Sequence, residues 1–447
     1  MIRVSGPGSV KVAQACFYPW AKRQPPAREA VYGTWHWPSG KTDTTFATGA
    51  IDQVVVVYFS SPASYTGEDT VEISCHGSTY VQQAVLESCM EAGCRLAKPG
   101  EYTQRAFLNG RLDLAQAEGV ADLIAAESAA AHKVALAQMS GNLSEEMREL
   151  RSALIEFAAL IELENDFGEE DVEFADRLDL GQRVVKTQTH IDRLLSTFSA
   201  GQAMRNGVRV VIAGRPNAGK STLLNALLGT DRAIVNEVAG TTRDTIEAEM
   251  DIEGVRFRLV DTAGIRDAVD VVEQEGVSRT HRAVAAAQVL IYVWDVVLTT
   301  PDDVASDLAK LARPGLPIVA VANKMDLNPY AKRAHYRDAK IEDEFFIPMV
   351  ARDSMNLTLL RERLYDAGVG DVPAGGSTIL THVRHVTALT EAKDALTRVE
   401  QGLAGGLTGD LIALDLRQAL HHIGSVTGEI SVDDLLESIF STFCIGK

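Results

Sequence analysis

Residues 214–221 could bind a phosphate chain. They have the sequence Gly-Arg-Pro-Asn-Ala-Gly-Lys-Ser and lie between an apolar run over 208–213, which predicts a strand, and residues 222–228, which predict a helix. Glycines let the backbone N–H groups of such a loop turn inward around a phosphate at a helix N-terminus. We expect the Lys220 ammonium to neutralise β- and γ-phosphate oxygens and the Ser221 hydroxyl to ligate Mg²⁺. Because the flanking strand and helix are both predicted, the pattern indicates a nucleoside triphosphate site rather than a chance match.

Two polar loops further along the chain could complete a site for Mg²⁺ and the γ-phosphate. Residues 240–244, Gly-Thr-Thr-Arg-Asp, offer Thr242 as a second Mg²⁺ ligand. A predicted strand over 256–260 leads into Asp-Thr-Ala-Gly, in which Asp261 would hold the metal ion through a water molecule. The Gly264 N–H would then contact the γ-phosphate.

A further motif indicates which base is bound. A predicted strand over 318–322 leads to Asn323, Lys324, Met325 and Asp326. A carboxylate only accepts hydrogen bonds, so Asp326 can accept from the N1–H and the exocyclic amine of guanine. Adenine has neither donor at that place. The motifs occur in the order that a GTPase needs, and they predict a GTP-binding domain.

The position after Gly264 leaves a gap in the expected hydrolysis machinery. Many GTPases have a glutamine there, which orients the attacking water, whereas this chain has Ile265. Another group must therefore orient the water, and another cation must replace an arginine finger. Glu273 and Glu275 are candidates, although a carboxylate at a helix start is more often simply solvated.

Composition and charge place these motifs in a multidomain protein. A chain of 447 residues is long enough for two to four domains of about 100–200 residues each. Its net charge of −18 argues against a surface that binds nucleic acid throughout, although it permits one local site. The first 20 residues lack the apolar core of a signal peptide, no membrane span is predicted, and the five cysteines form no Cys-x-x-Cys pair. We therefore expect a cytoplasmic protein with reduced thiols.

The segments outside the GTP-binding motifs are of two kinds. Strands are predicted over 54–59 and 70–74 and a helix over 81–91, which indicates a small N-terminal α/β domain. The remaining segments are acidic and have helical periodicity, so we infer one discontinuous helical domain into which the GTP-binding domain is inserted. Its predicted helices cover 112–139, 143–163, 380–403, 411–422 and 432–440.

Several stretches outside the GTP-binding motifs carry a family resemblance over essentially the whole chain. They are Thr-Gly-Glu-Asp at 66–69, Pro-Gly-Glu-Tyr at 99–102, Arg-Ala-Phe-Leu-Asn-Gly at 105–110, Leu-Asp-Leu-Ala-Gln-Ala-Glu at 112–118 and Phe-Cys-Ile-Gly-Lys at 443–447. With the P-loop at 214–221 and a switch I stretch at 239–244, the chain resembles the tRNA modification GTPase MnmE (TrmE) family.

The resemblance implies an α/β and all-α multidomain fold. Its parts would be an α/β folate-binding and dimerisation domain over 1–110, a helical domain in two parts over 111–206 and 367–447, and an inserted Ras-like P-loop G domain over 207–366. The start at 1–6 resembles the end of the family's first strand–loop–strand region, so we expect an initial strand and loop to be missing.

The resemblance also implies how the hydrolysis gap is filled. A K⁺ ion bound by Asn217, Asn236, Val238 and Thr241 would replace the arginine finger and stabilise charge between the phosphates. Its site would close when two G domains meet, which couples hydrolysis to dimerisation. Glu273 matches the segment of the water-orienting glutamate, and the catalytic set is Glu273, Lys220, Thr242 and Gly264. The implied nucleotide contacts are Asn217, Ala218, Gly219, Lys220, Ser221, Thr222, Asn236, Glu237, Val238, Ala239, Gly240, Thr241, Thr242, Asp261, Thr262, Ala263, Gly264, Asn323, Lys324, Met325, Asp326, Val350, Ala351 and Arg352.

The family's folate site is similar to what Arg3, Glu72, Arg111 and Lys447 could build. Cations suit the carboxylates of the folate tail, and a carboxylate suits the donor edge of the pterin ring. The ligand would be a one-carbon carrier, 5-formyl- or 5,10-methylene-tetrahydrofolate. Cys444 would lie near the one-carbon group, with an inert buried thiol as an equal alternative.

One stretch of the base site departs from the family pattern. The usual Ser-Ala-Arg or Ser-Ala-Lys is replaced by Val350, Ala351 and Arg352. The Ala351 backbone N–H could still serve the base oxygen, so we expect a weaker but working site.

The resemblance implies a K⁺-activated, Mg²⁺-dependent GTPase that acts in tRNA modification. As a homodimer it would form a heterotetramer with the FAD-dependent MnmG (GidA) and add a (carboxymethyl)aminomethyl group to C5 of the wobble uridine of certain tRNAs. The net charge of −18 fits tRNA binding mainly through the partner. A ribosome-assembly GTPase would instead need a basic RNA-binding module with a Gly-x-x-Gly loop, and a GTP-regulated scaffold would not bind folate.

Overall fold

The computed structural model describes residues 1–20, 23, 25–38, 49–166, 177–229, 247–261, 282–339, 341–370 and 378–429. The chain divides into two compact units. One comprises Met1–Ala121, Gln138–Ser152 and Leu420–Lys447, and the other comprises Asp122–Ala137 and Ala153–Ala419.

The first unit contains a four-stranded antiparallel sheet in the order β1-β4-β3-β2. Val54, Val56 and Tyr58 alternate with more exposed neighbours and are buried, as expected for a sheet with one face on a core. The strands are β1 (Ile2–Ser5), β2 (Ala30–His36), β3 (Ala50–Phe59) and β4 (Thr70–Ser74), and the helices that follow β1 and β4 are α1 (Ser9–Cys16) and α2 (Thr79–Glu91). The predicted α/β character of this region is confirmed.

Helices follow the N-terminal sheet, with one break that the sequence pattern did not show. The stretch predicted as helical over 112–139 is helical but divided in two, because the chain leaves the helix after Ala125 and the Ser128 Oγ accepts from the Ala131 N–H at 3.1 Å at the start of the next helix. The helices are α3 (Glu101–Leu108), α4 (Leu114–Ala125), α5 (Ala129–Met139) and α6 (Asn142–Asp166).

The second unit contains a six-stranded sheet in the order β10-β9-β8-β5-β7-β6, parallel except for the antiparallel β6–β7 pair. All seven residues of its central strand β8 are buried, which is typical of a parallel sheet covered on both faces. The strands are β5 (Val208–Ala213), β6 (Glu247–Ile252), β7 (Val255–Asp261), β8 (Val289–Asp295), β9 (Ile318–Asn323) and β10 (Phe346–Pro348), and the helices are α9 (Lys220–Gly229), α10 (Pro301–Leu311) and α11 (Leu357–Val369).

Helices from both sides of this sheet in the sequence pack together. Gln188 Nε2 donates to Thr397 Oγ1 at 3.1 Å, and Lys393 Nζ lies 2.6 Å from Asp192 Oδ1. These contacts join α7 (Arg177–Ser196) to α12 (Val383–Ala404), whereas α8 (Phe198–Asn206) leads into β5 and α13 (Gly409–Thr427) follows α12. The prediction of a discontinuous helical domain with an inserted α/β domain is confirmed. Helix α13 continues beyond the predicted end at 422 and stops at Gly428, whose φ of +80° ends it. The predicted helix over 432–440 lies outside the described residues.

Candidate functional site

The loop between β5 and α9 approaches the neighbouring strands closely. Gly214 has a φ of +152°, and a Cβ there would lie 2.0 Å from the backbone O of Val293. Gly219 has a φ of +100°, and a Cβ there would lie 2.2 Å from Asn323 Nδ2. Asn217, between them, has a left-handed φ of +62°. This conformation of the loop therefore requires glycine at both positions. The loop leads to the N-terminus of α9, where backbone N–H groups bind anions favourably.

Lys220 places its ammonium against this loop. The side chain is mostly buried at the start of α9, and its Nζ donates to the carbonyl oxygens of Gly214 and Arg215, each at 2.9 Å. A cation beside the unpaired N–H groups of a helix start attracts phosphate oxygens.

A hydroxyl and a carboxylate meet beside Lys220. Ser221 Oγ donates to Asp261 Oδ2 at 3.2 Å, and Asp261 is buried at the end of β7. Mg²⁺ prefers oxygen ligands and keeps several waters, so it is usually bound by one or two protein oxygens together with substrate phosphates. This pair fits such an ion. Among the described residues, no group of three or more His, Cys, Asp or Glu could hold a metal ion.

Asn323 connects the phosphate loop to the predicted base site. It is buried at the end of β9, its Nδ2 donates to the Ala218 carbonyl at 2.8 Å, and its Oδ1 accepts from the Ala351 N–H at 3.0 Å. One amide therefore aligns two loops. It also engages the N–H that the sequence assigned to the base oxygen.

Asp295 lies beside the base motif, and sequence reasoning did not find it. Lys324 Nζ lies 2.8 Å from its Oδ2, and the N–H groups of Val297 and Leu298 donate to its Oδ1 at 2.8 and 3.2 Å. Burial raises the pKa of Asp295, but these hydrogen bonds outweigh that effect and hold the pKa below its usual value. The sequence signal that could have found it is an aspartate at the carboxyl end of a parallel strand, because ligand sites lie at these strand ends.

Asp326 is accessible to a base. Its side chain is 34% exposed, and Arg352 Nη2 lies 3.8 Å from its Oδ2. Val350 pairs with Met355 in an isolated bridge that shapes the loop over 350–355. The Asp326 carboxylate lies next to this loop, is partly exposed, and can accept hydrogen bonds from two N–H donors of guanine.

Arg3 and Glu72 face each other across β1 and β4 in the N-terminal sheet. The Arg3 Nε and Nη2 donate to Glu72 Oε1 at 2.8 and 2.6 Å. The guanidinium also lies over the rings of Tyr65 and Tyr102, at 5.5 and 5.7 Å from their centroids. This combination presents a cation, a carboxylate and aromatic faces together. Arg111 follows α3 with its Cγ 3.2 Å from where a Cβ on Gly67 would be.

The remaining predicted site residues lie outside the described residues. They are Asn236, Glu237, Val238, Ala239, Gly240, Thr241, Thr242, Thr262, Ala263, Gly264, Glu273, Cys444 and Lys447. The four described cysteines, Cys16, Cys75, Cys89 and Cys94, are free thiols. No helix within the described ranges has the length and apolar character needed to cross a membrane.

Comparison with known proteins gives matches along the whole chain. The model of the MnmE helical domain matches residues 114–444, and the model of the GTP-binding protein TrmE N-terminus matches residues 1–111. The tRNA modification GTPase MnmE of Cytophaga hutchinsonii is 48% identical over 397 residues, covering 89% of this chain and 85% of that protein. The protein of the same name from Christiangramia forsetii is 44% identical, covering 100% and 96%. Among solved structures, Era from Aquifex aeolicus bound to GDP and AlF₄⁻ matches with a TM-score of 0.29 and 25% identity over 42% of this chain and 66% of that one.

Proposed function

Since the chain belongs to the MnmE family of tRNA modification GTPases, we propose that it is a K⁺-activated member that acts with an FAD-dependent partner of the MnmG type. It is a GTP hydrolase with a role in tRNA modification. The product we propose is a (carboxymethyl)aminomethyl group on C5 of the wobble uridine of certain tRNAs. The domains that we propose for the chain are the folate-binding domain over 1–110, the helical domain over 111–206 and 367–447, and the G domain over 207–366.

The observation that carries the proposal is the meeting of three motifs at one edge of the second sheet. Lys220, Asp261 and Asn323 lie at or just beyond the carboxyl ends of β5, β7 and β9. The Asn323 amide ties the base-binding motif to the phosphate loop. An arrangement of this kind binds the phosphates, the metal ion and the base of one GTP molecule.

Each described side chain has a proposed role toward GTP. The Lys220 ammonium binds the β- and γ-phosphates, Ser221 ligates Mg²⁺, and Asp261 holds the hydrated ion. Asp326 accepts from the guanine N1–H and amine. Bound Mg²⁺ neutralises developing phosphate charge. The roles of Thr242, Gly264 and Glu273 rest on the sequence.

A monovalent cation is proposed beside the phosphate loop because the resemblance to the MnmE family implies one there, bound by Asn217. Asn217 is exposed at the turn of the loop, where its carbonyl-bearing side chain can face the nucleotide from outside. A K⁺ ion there supplies the charge that other GTPases obtain from an arginine finger. Closure of the site by a second G domain would couple hydrolysis to dimerisation.

The N-terminal domain is proposed to bind a tetrahydrofolate that carries the one-carbon unit. Arg3 and Glu72 already form a pair flanked by Tyr65 and Tyr102. The pterin ring can stack on an aromatic face. The Arg3 guanidinium can pair with a folate carboxylate once it leaves Glu72. We also propose Arg111, Lys447 and Cys444 for the folate site, on the basis of the sequence resemblance.

K⁺ activation is tested by phosphate release from purified protein in KCl and in NaCl at equal ionic strength. We expect hydrolysis to be at least about tenfold faster in KCl. Asn217→Gly removes the amide while tolerating the left-handed backbone, and it should lower the K⁺ stimulation by a larger factor than it weakens GDP binding. Equal rates in both salts would refute the K⁺ proposal.

The tRNA product is tested by mass spectrometry of nucleosides from cells that lack the gene. Complementation with the wild-type gene should restore 5-(carboxymethyl)aminomethyl-uridine derivatives, and complementation with Lys220→Ala should not. A profile that is unchanged by the deletion would remove the tRNA assignment for this chain.

A further inference from the structure

Arg215, the second residue of the phosphate loop, is anchored outside the nucleotide site. Its Nε donates to Asp307 Oδ2 at 2.7 Å, and its Nη2 donates to Asp307 Oδ1 at 3.2 Å and to Asp303 Oδ1 at 3.1 Å. Both carboxylates belong to α10. A planar guanidinium that meets two carboxylates through several N–H groups is held in one orientation more firmly than an ammonium would be.

The two carboxylates are themselves fixed in place. Asp303 forms the capping box of α10 with Thr300, in which each residue's side chain bonds the other's backbone. Asp307 Oδ2 accepts from the hydroxyl of Tyr292 at 2.8 Å, and Tyr292 is buried on β8. Arg215 is therefore attached to α10 and, through Asp307 and Tyr292, to the central strand.

The backbone of Arg215 faces the opposite way. Its carbonyl oxygen accepts from Lys220 Nζ at 2.9 Å and from the Ala218 N–H at 3.3 Å. Movement of this carbonyl would displace the ammonium that is expected to meet the phosphates. The anchored Arg215 side chain thus restricts the position of the Lys220 Nζ.

The two carboxylates compensate the charge of the guanidinium. Hydrogen bonding to Asp307 is the main cause that raises the pKa of Arg215. Burial raises the pKa of Asp307, but the hydrogen bonds from Arg215 and Tyr292 outweigh it and bring that pKa below its usual value. Asp307 is consequently ionised at neutral pH and compensates Arg215. An Arg215 that is neutralised in this way is not available as a cation for the phosphates.

We propose that Arg215 is a positioning residue for nucleotide binding, which acts through Asp303 and Asp307 to hold its own carbonyl against Lys220. The proposal rests on GTP binding at the site described above. It does not depend on K⁺ activation or on tRNA modification.

The test compares variants of the full-length protein by titration with a fluorescent GDP and with a fluorescent non-hydrolysable GTP analogue. Arg215→Ala should weaken binding of both about tenfold, and it should raise KM for GTP by a similar factor while kcat changes less than about threefold. Asp307→Asn should reproduce the loss, because it releases the same anchor. Arg215→Lys should recover part of the affinity. Asp302→Ala, a neighbouring exposed acid of α10, is the matched control and should bind like the wild type.

Two further measurements separate positioning from other roles. The double variant Arg215→Ala/Asp307→Asn should be no weaker than either single variant, since both remove one anchor. Thermal unfolding of the variants should stay within a few degrees of the wild type. Three results would overturn the proposal: wild-type affinity in Arg215→Ala, wild-type or tighter binding in Asp307→Asn beside weak binding in Arg215→Ala, or a loss that merely follows a lowered melting temperature. If wild-type hydrolysis is indifferent to K⁺, the proposed function fails while this binding result stands.

Discussion

Removal of the Asn323 side chain should weaken nucleotide binding strongly. Asn323 is 3% exposed, and its amide makes the 2.8 Å bond to the Ala218 carbonyl and the 3.0 Å bond from the Ala351 N–H. Asn323→Ala deletes both bonds and leaves two buried backbone groups without this partner. Each such group costs about 1–3 kcal/mol. If the two unpaired groups together reduce the free energy of GDP binding by about 2–4 kcal/mol, the GDP dissociation constant should rise about 30- to 1000-fold.

Titration with a fluorescent GDP measures this change, and a thermal unfolding curve shows how much of it is lost stability. Asn323→Asp is a sharper probe, because it keeps an acceptor for Ala351 but turns a carboxylate oxygen toward the Ala218 carbonyl, and we expect it to bind no better than Asn323→Ala. Asn328→Ala, in an exposed turn after the base motif, should bind like the wild type. GDP binding by Asn323→Ala within about threefold of the wild type would exclude this role for the Asn323 amide.

Three other variants test separate parts of the structure. Gly214→Ala places a methyl group 2.0 Å from the Val293 carbonyl and should destabilise the G domain by about 2–4 kcal/mol in denaturant unfolding, whereas an unchanged midpoint would contradict the close approach. Asp326→Asn should reverse the preference for GTP over XTP by about 100-fold or more in competition binding, because the amide donates where the carboxylate accepted, and retained GTP preference would exclude Asp326 from base recognition. The Arg95 hydrogen bond is the main cause that lowers the pKa of Glu101 to about 2. The ionised Glu101 therefore stabilises the fold above the free-glutamate pKa of about 4.3, and this contribution is lost as the pH falls toward 2. The wild-type melting temperature should consequently drop more steeply than that of Glu101→Gln over that range, and parallel curves would contradict the assignment.

Strands and helices with a strong local signal could be predicted from the sequence. The run at 318–322 is uniformly apolar and the run at 208–213 is apolar except for Arg209, which indicates strands covered on both faces, and β5 and β9 occupy these positions. The break at Ser128 could not be predicted from periodicity, because the alanine-rich stretch on both sides favours helix throughout. Ser128 is the one serine in 112–139, and its hydroxyl accepts from the Ala131 N–H at the start of the second helix.

The phosphate loop and the guanine motif could likewise be predicted, since each is a short contiguous pattern with its own mechanism. Asp295 and Arg215 could not be assigned in the same way. Asp295 lies 29 residues from Lys324 and the Arg215 partners lie 88 and 92 residues away, so their roles depend on which strands are neighbours. The order β9-β8-β5 places the ends of these strands side by side, and no local pattern contains that order.

The phosphate loop is tied near both of its ends by hydrogen bonds to neighbouring elements of the protein. Arg215 fastens the first turn to α10 and β8, and Asn323 fastens Ala218, just before Lys220, to β9. A loop held in this way loses little conformational freedom when GTP arrives, so more of the interaction energy is expressed as affinity. The Asn323 amide also bears on the base loop at Val350 and Ala351, where we expect weaker binding of the base than with the family's usual serine. Because the Asn323 amide supports that loop through the Ala351 N–H, the missing serine of the family pattern removes one polar group without releasing the loop.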